Sequence, residues 1–200
     1  MPRFIDYIGL MLVNMSAGYF LLAAYVFRGI EGADQKRWSP AFSLVGLIAL
    51  AFGIAMCMTW PVPGSYNIAY GEMSVLFGGI FLAAGIALGL GWDLSIIATY
   101  AFFAGIAAMI VGARIISLKM TLVPILSGTG FIVSGLGGVF AAPTLMLFKK
   151  NRFVRTIGAL VLLLAAGIWA ATVYPEYWAH LKMFQKWVPG TMPQMPGPKY

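Results

Sequence analysis

The chain has 200 residues, of which 61% are hydrophobic and only 10% charged, with a formal net charge of +7 and a mean hydropathy of +0.89. An ordinary soluble domain carries about 25% charged residues, so the composition excludes that class and points to a polytopic membrane protein. The bases fall in short loops beside apolar runs, which excludes a nucleic-acid surface and makes them topology signals.

Asp, Glu, Lys and Arg are missing from 7–27, 38–71, 73–92, 94–113, 120–148 and 156–175. Crossing the hydrocarbon core takes roughly 20 apolar residues, so each run supplies one helix. The sequence therefore predicts an all-α bundle of six transmembrane helices, at about 7–27, 41–59, 74–90, 94–113, 122–148 and 154–173. These make one domain over 1–175, followed by an interfacial amphipathic helix over 176–188 and a Pro-rich disordered tail over 189–200.

The N-terminus lacks a cationic start and a small-residue cleavage site, so span one is expected to stay. It carries Asn14 beside Ser16 and Gly18, with Tyr19 following. A carboxamide at that depth must find a partner, either across a helix pair or along a pore. Ser39 and Pro40 suit the cap and first turn of span two. Cys57 is the one cysteine and can form no internal disulfide.

Span two stops at Trp60-Pro61, because proline withholds a donor and biases its predecessor away from helix. Pro63-Gly64 fits the central positions of a type II turn. The stretch Trp60–Glu72 is the longest non-helical-looking segment, with aromatics at Trp60, Tyr66 and Tyr70, an amide at Asn67 and an acid at Glu72. It reads as an aromatic-belt connection at headgroup depth or as a loop dipping between helices, and it is the best place for a site.

Spans three and four turn through Gly91-Trp92-Asp93 and are expected to be antiparallel neighbours, with Tyr100 near the start of span four. Gly85 with Gly89, and Ala101 with Gly105, have the spacing that lets helix backbones approach. Span five places Gly130, Ser134 and Gly138 on one ridge, a packing seam or the wall of a narrow pore. Gly-Ile scraps recur at Gly53, Gly85, Gly105 and Gly167, which is a conceivable hairpin repeat or chance in Gly/Ala/Ile-rich helices. Beyond Glu176, Tyr177, Leu181, Phe184 and Val188 recur at helical spacing, with His180 read as a solvated side chain.

Six spans place both termini on one side. Arg28, Lys36, Arg37, Lys149, Lys150, Arg152 and Arg155 lie on the other, which favours termini outside a prokaryotic inner membrane. No residue spacing suits a metal, haem or catalytic triad, and no acid falls mid-span to relay protons, so no cofactor and no enzyme are expected.

The run Met58 to Glu72 resembles a prokaryotic membrane-protein family classed only as a domain of unknown function, over span one to Ala142. A fainter resemblance is to amide and urea channels of the AmiS/UreI type, through Val13-Asn14 with Gly18, Leu76-Phe77-Gly78 and Leu90-Gly91-Trp92-Asp93. It implies six spans, termini outside and passage of a small neutral solute. The later-helix glutamate expected of those channels is missing from span six.

Two readings stand. One is a channel-like protein for a small neutral solute, with Asn14, Tyr19, Trp60, Tyr66, Asn67, Glu72 and Tyr100 along its path or gate. The alternative is a non-catalytic accessory subunit of a larger membrane complex. Either way the expected partners are the lipid bilayer and further copies of the chain or other subunits.

Overall fold

The computed structural model describes residues 6–185. Six long apolar helices dominate it: α1 (Tyr7–Ala24), α2 (Ser39–Thr59), α3 (Met73–Leu90), α4 (Ser95–Leu118), α5 (Pro124–Met146) and α6 (Arg152–Met183). Their starts follow local chemistry. The Asp6 carboxylate accepts the Gly9 N–H, Asn151 accepts from Phe153 and Val154, and Pro124 occupies the first turn of α5, where it gives up no needed donor. Asp93 accepts the Ser95 N–H at 2.8 Å, and the Ser95 side chain and amide hold its carboxyl below the usual carboxylate range.

Consecutive helices run antiparallel and close into a ring, because α6 returns to pack along α1. The closest seams are α2 with α3 and α4 with α5. Both depend on glycine at the contact. A Cβ on Gly46 would lie 2.2 Å from the Leu82 nitrogen, and one on Gly105 would lie 2.5 Å from the Gly135 carbonyl oxygen. The contact between α3 and α4 is among the looser ones although the shortest turn joins them, because a cavity lies between them.

Three local readings change. Asn67–Glu72 is not loop or re-entrant coil but a π-helical turn that runs directly into α3. Gly71 lets this wider turn lie close against α2, since a Cβ there would come within 3.1–3.4 Å of Met56 and Cys57 side-chain atoms. α4 passes Arg114 and ends at Lys119, which adopts the left-handed conformation (φ 51°) of a helix cap. Finally, α6 continues through Pro175 to Met183, so the expected interfacial segment from 176 is the last turns of the same helix as far as it is described. Proline removes one donor at that turn, while His180 of the continuing helix contacts Asp6 at the start of α1. The rest of that segment and the Pro-rich tail lie outside the described residues.

Candidate solute cavity and its aromatic closure

Within the ring is a cavity of about 510 Å³ that side chains from all six helices touch. Its walls are aliphatic and aromatic. The polar side chains among its lining are Tyr19, Tyr25, Ser134 and Thr144, and among the described residues no charged residue lines it. The cavity extends from Ile30, Leu94, Phe148 and Val154, at the end where the α1–α2, α3–α4 and α5–α6 connections lie, to Met15, Met73, Ala108 and Phe131 at mid-bundle.

Beyond Phe131 the bundle is solid. Met11, Leu12, Met56, Ile115, Phe131, Trp169 and Val173 have essentially no accessible surface. A file of rings forms this closure: Tyr66 stacks with Tyr70 (centroids 6.2 Å apart), Tyr70 meets Phe131 edge-on at 5.4 Å, and Phe131 meets Trp169 at 5.0 Å. Edge-to-face pairs of this kind hold each other's rotamers. The Trp169 indole donates to Ser134 Oγ at 2.9 Å. Ser134 is also a hydrogen-bonding partner of the Tyr19 phenol, so cavity wall and closure share one hydroxyl.

A second aromatic cluster lines the cavity itself. Tyr19 lies against Phe77 (5.4 Å), Phe77 against Phe81 (4.4 Å), Phe81 stacks with Phe42 (5.2 Å), and Phe42 meets Tyr25 (5.5 Å). Near the end of the cavity under the α1–α2 connection Tyr25, in the π-helical segment Tyr25–Gly29, donates to Gln35 Oε1 at 2.9 Å. The Gln35 amide in turn donates to the Gly29 and Gly32 carbonyls, which pins the α1–α2 loop. Arg155 of α6 pairs with Glu31 of that loop at 2.6 Å.

The seven residues singled out from sequence do not converge. Tyr19 lines the cavity. Asn14 is buried and donates to the Val45 carbonyl of α2 at 2.9 Å, a helix-to-helix tie. Asn67 is 0% exposed: its amide donates to the Val62 and Gly64 carbonyls and its oxygen accepts the Val62 N–H at 3.4 Å, so it closes the turn that precedes it. Tyr66 donates to the Met120 carbonyl, joining the α2–α3 connection to the α4–α5 connection. Trp60 is exposed in a left-handed conformation (φ 46°) as the cap of α2. Glu72 faces outward beside Cys57 and Met58, and Tyr100 is exposed on the outer face of α4.

The small residues divide among seams. Gly85 lies against Ser43 and Gly89 against Ser39, both at the α2–α3 contact. Gly105 and Gly138 touch one another across α4 and α5. Gly130 and Ser134 instead face Trp169 of α6, so the supposed single ridge of α5 serves two neighbours. Gly167 meets nothing within 4 Å, unlike Gly53, Gly85 and Gly105, so the recurring scrap has no common packing role.

Sequence reasoning missed Phe77, Tyr70 as part of a closure, Phe131 and Trp169. One signal was present. Tryptophan belongs at the membrane interface, and Trp169 stands in the middle of an apolar run, where its N–H needs a partner.

The fold has solved counterparts. The cryo-EM structure of the Helicobacter pylori urea channel in its closed state superposes with a TM-score of 0.66 at 16% identity, covering 90% of this chain and 99% of that one. The crystal structure of the urea channel from the same human gastric pathogen gives 0.63 at 17% identity over the same shares. At such identities the likeness concerns the fold. Among curated proteins none matches the sequence. The match that runs through all six helices, over residues 1–183, shows that the chain belongs to the DUF981 family, a family of proteins of unknown function.

Proposed function

We propose that this protein is a passive path for a small neutral solute of the urea or amide kind, described here with the path closed. The observation that carries the reading is the cavity: a ring of six helices surrounds a space with hydroxyls but no charge, stopped at mid-bundle by the Tyr70–Phe131–Trp169 file. A path of this chemistry admits a neutral molecule that exchanges a few hydrogen bonds with hydroxyls. It rejects ions, because nothing along it replaces their hydration. The likeness of fold to a urea channel supports the solute class. Tyr19, Tyr25 and Ser134 are the solute-facing polar groups, and Phe131 with Tyr70 is the barrier. Trp60, Tyr66, Asn67 and Glu72 hold or flank the cap at the closed end. The excess of bases in the α1–α2 and α5–α6 connections supports an orientation with the closed end outside a prokaryotic inner membrane and the other end of the cavity inside.

Osmotic swelling of proteoliposomes tests this. Urea or acetamide should enter protein-containing vesicles faster than protein-free ones, Phe131→Ala should raise the rate further, and potassium chloride should stay excluded. No solute flux above background in either the natural protein or Phe131→Ala, with both folded, overturns the reading.

A further inference from the structure

Of all the residues that line the central cavity, three are exposed: Phe140 at 60%, Phe148 at 42% and Ile157 at 47%. They are not scattered around the ring. Phe140 is on the last turns of α5, Phe148 is in the α5–α6 connection and Ile157 is on the first turns of α6. The exposed part of the cavity wall is therefore at the α5–α6 seam, the place where the cavity would open sideways. Phe140 lies six residues before the end of α5 and Ile157 five after the start of α6, so at 1.5 Å per residue these two sit about 7.5–9 Å along the helices from the connection that carries Phe148. Both residues lie on helices long and apolar enough to cross a membrane, and this face of the ring is taken as turned toward lipid.

Immediately beyond the opening, the connection carries Lys149, Lys150 and Arg152, all exposed. Lys149 lies close enough to Asp93 to influence its carboxyl. Among the described residues neither Lys150 nor Arg152 forms an ion pair. An apolar, uncharged, dead-ended space thus opens to the bilayer directly below two cations with no anion of their own. That combination has the chemistry of one ligand class, an amphiphile with an acidic head and a long apolar chain.

We propose that an anionic phospholipid of the surrounding leaflet binds here, with one acyl chain passing between α5 and α6 into the cavity and its phosphate held by Lys150 and Arg152. The inference is independent of solute passage, since it concerns occupancy of the cavity from the side. It also makes that passage subject to lipid composition, because the chain would lie alongside Tyr19 and Phe77.

Photolabelling of the full chain decides it. The protein is reconstituted in phosphatidylcholine vesicles doped with a phosphatidylglycerol that carries a diazirine near the end of one acyl chain, then irradiated, digested and mapped. Adducts are expected on the cavity side, at Phe77, Ala104 and Val161, as well as on outward Phe103 and Leu164. Lys150→Gln with Arg152→Gln should lower interior labelling severalfold and leave outward labelling unchanged. Ala104→Phe should abolish the interior adducts, with the outward ones serving as the folding control. Three results overturn the proposal: labelling confined to outward residues, equal interior labelling by the same diazirine on phosphatidylcholine, or interior labelling by a diazirine fatty acid that phosphatidylglycerol does not compete away.

Discussion

Asn67 tests whether the capping segment is a gate or a structural knot. Its side chain is fully buried, and two good hydrogen bonds and one long one run from it to the turn Val62–Gly64. A net hydrogen bond contributes about 1 kcal/mol, and a buried group left without a partner costs about 1–3 kcal/mol. Pro61, Gly64 and Ser65 are exposed, so water can reach part of what is vacated. Asn67→Ala should therefore destabilise the protein by about 2–3 kcal/mol. Asn67→Asp should be worse at neutral pH, because an ionised carboxylate would face two carbonyl oxygens where an amide donated. The assay is denaturant titration in mild detergent followed by tryptophan fluorescence, with the exposed neighbour Ile68→Ala as control. If Asn67→Ala falls within about 0.5 kcal/mol of the natural protein, or if Asn67→Asp is no worse than Asn67→Ala at neutral pH, the structural reasoning fails.

Further expectations are checked by the same titration. Gly46→Ala should cost about 1–3 kcal/mol, because its methyl would run into the backbone of Leu82, whereas Gly167→Ala should be neutral or stabilising by up to about 1 kcal/mol. Asn14→Leu should cost about 0.6–2 kcal/mol and leave solute flux unaltered, since the amide ties α1 to Val45 and does not reach the cavity. Ser134→Ala should cost about 1–3 kcal/mol by stranding the buried Trp169 N–H, and less than that in a Trp169→Phe background, which a double-mutant cycle reads as coupling.

The six helices were legible because the part of a span in the hydrocarbon core must be largely free of charge, a constraint that leaves readable gaps even where the helices run past them, as α4 does at Arg114. The cap was not. Pro61, Pro63 and Gly64 break the helix, and Tyr66 and Asn67 look polar, so local pattern assigns loop where a π turn forms. What makes that turn is contact with partners far along the chain: the Met120 carbonyl for Tyr66, and Phe131 for Tyr70. Such pairings leave no periodic trace. His180 is a similar case. Its own helix marks it as solvated, but its ring nitrogen is 2.7 Å from the Asp6 carboxylate across the α1–α6 seam. The cavity was invisible for a related reason, since its wall draws on all six helices, from Phe42 alone on α2 to most of the second half of α5, and no one stretch carries it.

The α1–α6 seam joins the first and last described helices, and near one end of it Asp6 meets His180, 174 residues apart, while near the other Glu31 meets Arg155. During synthesis the pairs α2–α3 and α4–α5 can form as soon as each hairpin emerges, but the ring cannot shut until the final helix arrives. Until then the bundle is an open crescent, with the α1 face that α6 covers unpaired. Assembly thus has a late, non-local closing step, and a chain arrested before α6 is the form that membrane quality control would meet.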